Sequence, residues 1–276
     1  MIEKIHATAC GVIHYWINRP PKADEYTLAF LPGLTADHRL FDKQIAYFKD
    51  KYPLLVWDAP GHASSYPFAL SFSLLDKAHW LWEIFSEETV AKPVIIGQSM
   101  GGYVGQAFAQ LHPEALAGFI AIDSAPLQRR YTTAMEIWLL KHMTSLYRRM
   151  PWNWLLKTGG DGCAVTAYGK NLMRQMMMTY AGDQDRYARL SGHGFKILAE
   201  AMAADLPYEI SCPAMLICGE EDKAGSAKRY NRAWHKHTGI PLHWIAGAGH
   251  NSNTDKPWEI NALIEEFMER LRGTIQ

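Results

Sequence analysis

The chain has 276 residues and a formal charge of zero, from 28 Lys plus Arg against 28 Asp plus Glu. That balance argues against an overall electrostatic grip on DNA, RNA or an anionic membrane. With 48% hydrophobic and 20% charged residues, the composition is globular, and the length suffices to bury a core. Ala9 to Asn18 reads as an antiparallel strand or hairpin at a sheet edge. Short apolar runs then recur, each ending in a turn. Leu28–Leu31 leads into Pro32-Gly33, Leu54–Trp57 into Asp58-Ala59-Pro60-Gly61, and Val94–Gly97 into Gln98-Ser99. Phe119–Ile122 leads into Asp123, and Ala214–Cys218 into Gly219. Runs apolar on both faces suit central strands of a parallel sheet.

Helical spacing fills the gaps. Val104, Ala107, Phe108 and Leu111 follow Ser99, and Ile260, Leu263, Ile264 and Phe267 lie near the C-terminus. This alternation predicts an α/β fold with a mostly parallel sheet flanked by helices. From Ala125 to Pro207 the rhythm stops. Tyr131–Tyr147 and Ala164–Tyr180 read as helices there, with Pro151, Gly159-Gly160 and Gly192 as breaks. The expected division is a core of residues 1–124 and 208–276, with a helical cap, 125–207, inserted in it.

Gly97-Gln98-Ser99-Met100-Gly101 fits G-x-S-x-G between a strand and a helix, the context that motif requires. Gly97 and Gly101 would relieve clashes in a tight turn, leaving Ser99 at its apex. A serine hydroxyl needs a base. Among twelve histidines, His250 in Ala248-Gly249-His250 follows the last strand run and lies C-terminal to the serine. The acid should follow a strand and precede His250. Asp222 meets both conditions; Glu220 and Glu221 are close rivals, and Asp123 is the alternative acid. Oxyanion donors are expected at the backbone N–H of Met100 and, after the turn at Gly33, of Leu34.

Together these pieces resemble the α/β-hydrolase superfamily over essentially the whole chain. They are Leu31-Pro32-Gly33-Leu34, Trp57-Asp58-Ala59-Pro60-Gly61-His62, Gly97-Gln98-Ser99-Met100-Gly101-Gly102, Gly219-Glu220-Glu221-Asp222 and Ala248-Gly249-His250. The resemblance implies a Ser99–His250–Asp222 triad under a helical cap, acting on a small-molecule ester or acyl substrate. Pro32-Gly33 replaces the His-Gly of many relatives, and Ala63 replaces a common second glycine. Serine at position 99 argues against epoxide-hydrolase and dehalogenase relatives, which carry aspartate there. Carbon–carbon bond hydrolysis, thioester, lactone or aminopeptide cleavage, or ligand binding with little turnover, are the alternatives. The chemistry calls for no cofactor and no metal.

The cap holds eight of the twelve methionines. Trp138, Met176 and Met177 are expected to line an adaptable apolar pocket. The cap also carries eleven basic against six acidic residues. That excess raises an expectation of attraction for anionic substrates. Four cysteines, Cys10, Cys163, Cys212 and Cys218, without CxxC spacing, read as small buried hydrophobes in a reducing compartment. Met1–Trp16 shows no leader pattern, and no apolar run approaches the roughly 18 residues of a membrane span. The expectation is a cytoplasmic chain.

Overall fold

Neighbouring residues on each central strand enter two different cores, and the elements follow from that division. The computed structural model describes residues 1–273. A hairpin of β1 (Ile2–Thr8) and β2 (Gly11–Ile17) precedes β3 (Tyr26–Leu31), α1 (Asp42–Phe48), β4 (Leu54–Trp57) and α2 (Leu74–Glu87). Then come β5 (Lys92–Gln98), α3 (Met100–Leu111) and β6 (Gly118–Ile122). Only helices and turns follow until β7: α4 (Ala134–Lys141), α5 (Met143–Arg149), α6 (Trp152–Leu155), α7 (Ala167–Met177) and α8 (Gln184–Ala203). The chain ends with β7 (Ala214–Gly219), α9 (Ala227–Thr238), β8 (Leu242–Ile245), α10 (Ser252–Asp255) and α11 (Pro257–Gly273).

The eight strands form one sheet in the order β1-β2-β4-β3-β5-β6-β7-β8. From β4 to β8 every neighbouring pair is parallel, while β2 runs antiparallel to β1 and β4. Leu28 and Phe30 of β3 join one buried cluster, and Ala29 and Leu31 the other. In β4, Leu54 and Val56 part from Leu55 and Trp57 in the same way. The strand period of two therefore feeds both faces, and both faces need helices. On one side α2 and α3 bring Leu81, Phe85, Val104 and Phe108. On the other, α1 and α11 bring Phe48, Ile264 and Met268.

Some expectations need correction. The helix expected over Tyr131–Tyr147 is two, α4 and α5, meeting at the non-helical His142. Gly192 breaks nothing: it lies inside α8. A Cβ there would run into Thr144, so the glycine lets α8 and α5 approach closely. Ala9 and Cys10 form the turn of the first hairpin, whose leading strand starts at Ile2. All four cysteines are free, but only Cys218 is fully buried. No helix among the described residues is long and apolar enough to cross a membrane.

Candidate active site

β5 ends at Gln98 and α3 begins at Met100, leaving Ser99 alone at the bend. Its backbone has φ 50 and ψ −114, a strained conformation for a residue with a side chain. Strand and helix must meet almost without clearance to hold it. A Cβ on Gly97 would strike the Gly101 backbone, and one on Gly101 would strike the Leu31 carbonyl. The glycines thus fix the sharpness of the bend, and Ser99 projects at the C-terminal edge of the sheet.

Asp222 follows β7 and His250 follows β8, so both loops open on that edge. His250 Nε2 lies 2.9 Å from Ser99 Oγ, and His250 Nδ1 lies 3.0 Å from Asp222 Oδ2. With its proton on Nδ1, the ring donates to Asp222 and leaves Nε2 to accept from Ser99. Asp222 is buried, and its Oδ1 accepts the Ala224 N–H at 2.7 Å. Burial pulls the His250 imidazolium pKa down. The hydrogen bond to Asp222 and its charge, with Asp123 behind it, outweigh that, and the net shift is upward.

Asp123, the alternative acid, makes no hydrogen bond to His250 among its contacts. Its Oδ1 accepts the Gly219 N–H, and its Oδ2 accepts the N–H and hydroxyl of Ser252. Burial, together with the charge of Asp222, pushes its carboxyl up to about 7 despite His250 and those donors. Glu220 is exposed, as is Glu221, and neither contacts the imidazole.

A cavity of about 370 Å³ lies over Ser99 and His250. Leu34, Met100, Leu139, Leu140, Phe195, Leu198 and Met202 supply most of its apolar wall, and Tyr103, Thr132, Glu136 and Tyr230 add polar atoms. Leu34 and Met100, the expected oxyanion donors, line the same cavity as Ser99. The pocket residues expected in the cap do not. Trp138 is 57% exposed and packs on His142, while its neighbours Leu139, itself 51% exposed, and Leu140 border the cavity instead. Met176 and Met177 are fully buried in a core with Leu172, Tyr180 and Tyr187. Of the cap methionines, Met202 alone lines the cavity. No Lys or Arg lines it among the described residues. Arg148 pairs instead with Asp185, and Arg129 donates to the Thr132 carbonyl.

Three supporting residues had no place in the sequence reading. Gln98 Nε2 donates to the His250 carbonyl at 2.7 Å, steadying the histidine loop from inside the G-x-S-x-G motif. Asp255 accepts the N–H groups of Gly249, Val165 and Thr166, tying that loop to the helical segment. Glu136 caps α4 through Thr133 and accepts from Ser226 and Tyr230 at α9. Burial would raise its carboxyl, but those donors hold it down at about 2. In the sequence, Gln98 lies within the G-x-S-x-G motif and Asp255 five residues after His250, while nothing marks Glu136 beyond its helix-capping spacing from Thr133. Ligand-type atoms also gather at Asp37, His38 and Asp58, and at Asp123, Cys218 and Asp222. In both groups the carboxylates already accept from protein donors, Asp37 from Arg39 and Asp58 from His38.

The sequence pattern of the alpha/beta hydrolase family matches residues 28–260. The 3-oxoadipate enol-lactonase 2 of Acinetobacter baylyi is 23% identical over 252 residues, 90% of this chain and 91% of that one. A thermophilic esterase from Thermogutta terrifontis superposes with a TM-score of 0.73 at 19% identity, over 98% of each chain. The enol-lactonase from Burkholderia xenovorans LB400 gives 0.74 at 19% identity, over 96% of this chain and 100% of that one.

Proposed function

Because the chain belongs to the alpha/beta hydrolase family, we propose that it is a serine hydrolase cleaving a small to medium carboxylic ester. The observation that carries this reading is the 2.9 Å approach of Ser99 Oγ to His250 Nε2 on the cavity floor, with Asp222 on the far nitrogen. Ser99 attacks the ester carbonyl while His250 takes its proton. Asp222 holds the ring and stabilises the imidazolium. The Met100 N–H, first in α3, has no intrahelical acceptor, and it forms the oxyanion hole with the Leu34 N–H. His250 returns the proton to the departing alcohol. It then deprotonates water, which releases the acyl group as a carboxylic acid. Residues 125–207 act as the lid of this site. A lactone is an internal ester, so the same steps would open one. The likeness to the Acinetobacter baylyi lactonase over 90% of the chain favours that second reading.

Ser99→Ala is the test. It is expected to abolish fluorophosphonate labelling and to lower turnover of p-nitrophenyl esters by at least about 10³-fold. Retained turnover would overturn the assignment. A panel of open-chain esters and lactones on the native chain separates the two readings.

A further inference from the structure

A second cavity, of about 510 Å³, lies between the first turns of α8 and the loop after β4. It shares no wall residue with the Ser99 cavity. Phe68, Leu70 and Leu190 make much of its wall, and Arg186 and Arg189 bring two cations to it. The two arginines are not equivalent. Arg189 is ion-paired to Asp185 at 2.9 Å. Arg186 has its Nε and Nη2 buried without any hydrogen-bond acceptor among the described residues.

The surroundings of Arg186 explain what it lacks. Its guanidinium lies 3.6 Å from the centre of the Tyr66 ring and 4.9 Å from that of Tyr180. Aromatic faces favour the cation but leave its N–H edge without acceptors. The carboxylates of Asp37 and Asp58 are taken up by Arg39 and His38. A guanidinium held in place beside an apolar cavity, with no counter-ion among the described residues, suits an oxyanion that carries an apolar body. One unpaired cation matches one negative charge.

We propose that this cavity is a second binding site, for a monocarboxylate with an apolar body, seated with its oxygens on Arg186. A dianionic phosphate would leave one charge uncompensated, because Arg189 is already paired. The acid released by an ester hydrolase has this chemistry, but occupancy of the site requires no reaction at Ser99.

Calorimetric titration of the full chain with hexanoate, hexanol and inorganic phosphate tests the site. Hexanoate is expected to bind one per chain, and hexanol and phosphate at least about tenfold more weakly. Arg186→Met should abolish hexanoate binding while the chain stays folded, since it removes an unpaired charge and keeps an apolar stem against the Tyr66 and Tyr180 rings. Ala69→Trp, at an exposed wall position, keeps the arginine and should block binding by filling the cavity. Hexanoate binding that survives both variants would place the ligand elsewhere, the Ser99 cavity included, and overturn the proposal. Equal binding of phosphate and hexanoate would overturn it as well, leaving a general anion patch. No hexanoate binding to the native chain, with a lower Tm in Arg186→Met, would make Arg186 a stacking partner only.

Discussion

Asp123 Oδ2 accepts two hydrogen bonds from Ser252, 2.9 Å from its N–H and 2.6 Å from its hydroxyl. Its Oδ1 accepts the Gly219 N–H at 2.8 Å. One buried carboxyl at the end of β6 thus binds the loop that carries Asp222 to the loop that carries His250. Asn at this position can accept on one side only, and its amide would face a donor on the other. Asp123→Asn is expected to lower kcat about ten- to a hundredfold with little change in KM, through displacement of His250. The same variant should alter the stability profile. The native carboxyl titrates near 7, well above an unfolded aspartate. The native state therefore keeps a proton that the unfolded state loses, and stability falls as pH rises from about 4 to 7. Chemical denaturation across that range should show this slope in the native chain and a flatter one in Asp123→Asn.

In the proposed role of general base, His250 must be neutral. Its pKa in the folded chain lies above the ordinary 6.5, because Asp222 and Asp123 outweigh burial. The acidic limb of kcat/KM is therefore expected to centre above that value, with rates rising as pH rises through it. Asp222→Asn removes the larger of the two charges. It should shift the limb to lower pH and reduce kcat by about 10⁴-fold. A pH–rate series on both proteins checks the direction. An unshifted limb would mean that a group other than His250 controls it.

The charge excess of the 125–207 segment leads to a different expectation once its placement is known. Of its arginines, Arg148 and Arg189 pair with Asp185, Arg174 pairs with Asp161 and Arg129 donates to backbone, and among the described residues the wall of the Ser99 cavity has Glu136 and Asp123 as its carboxyls and no Lys or Arg. A negative substituent on the acyl chain would meet apolar surface and Glu136, which stays ionised. A neutral ester should then exceed its carboxylate-bearing analogue in kcat/KM by about tenfold or more. Added salt should leave the neutral ester flat and, if anything, help the anionic one. A fall in the anionic rate with salt would restore the idea of an attracting lid.

The core was legible in the sequence because one signal served it throughout. Fully buried parallel strands appear as unbroken apolar runs, and Leu54–Trp57 coincides with β4, while Leu242–Ile245, interrupted by His243 and only part-buried at the sheet edge, still coincides with β8. Ser99, His250 and Asp222 each sit past such a run, so strand ends pointed to the three side chains that the structure brings together. The helices of the 125–207 segment lacked that aid. α4 is apolar nearly all round, and its sequence alone could not tell Trp138, which faces out, from Leu139 and Leu140, which face the cavity. Met176 and Met177 share their residue type with Met202, and only packing decides which one reaches the site. Gly192 has the composition of a helix break but the role of a helix contact, because its partner Thr144 is 48 residues away in sequence.

That division among the methionines can be tested directly. Met202 and Leu198 border the Ser99 cavity from α8, whereas Met176 and Met177 are packed in the core beneath. Met202→Trp adds bulk to the cavity wall. It is expected to lower kcat/KM for a decanoyl ester about tenfold or more while leaving an acetyl ester within about threefold. Met177→Ala removes buried atoms that do not line the cavity. It should cost about 2–5 kcal/mol of stability and reduce both esters alike, in proportion to the folded fraction. The measurement is an ester chain-length series on each variant, paired with denaturant midpoints. A chain-length effect in Met177→Ala at full folding would return that methionine to the substrate pocket, and none in Met202→Trp would place the acyl chain along another wall.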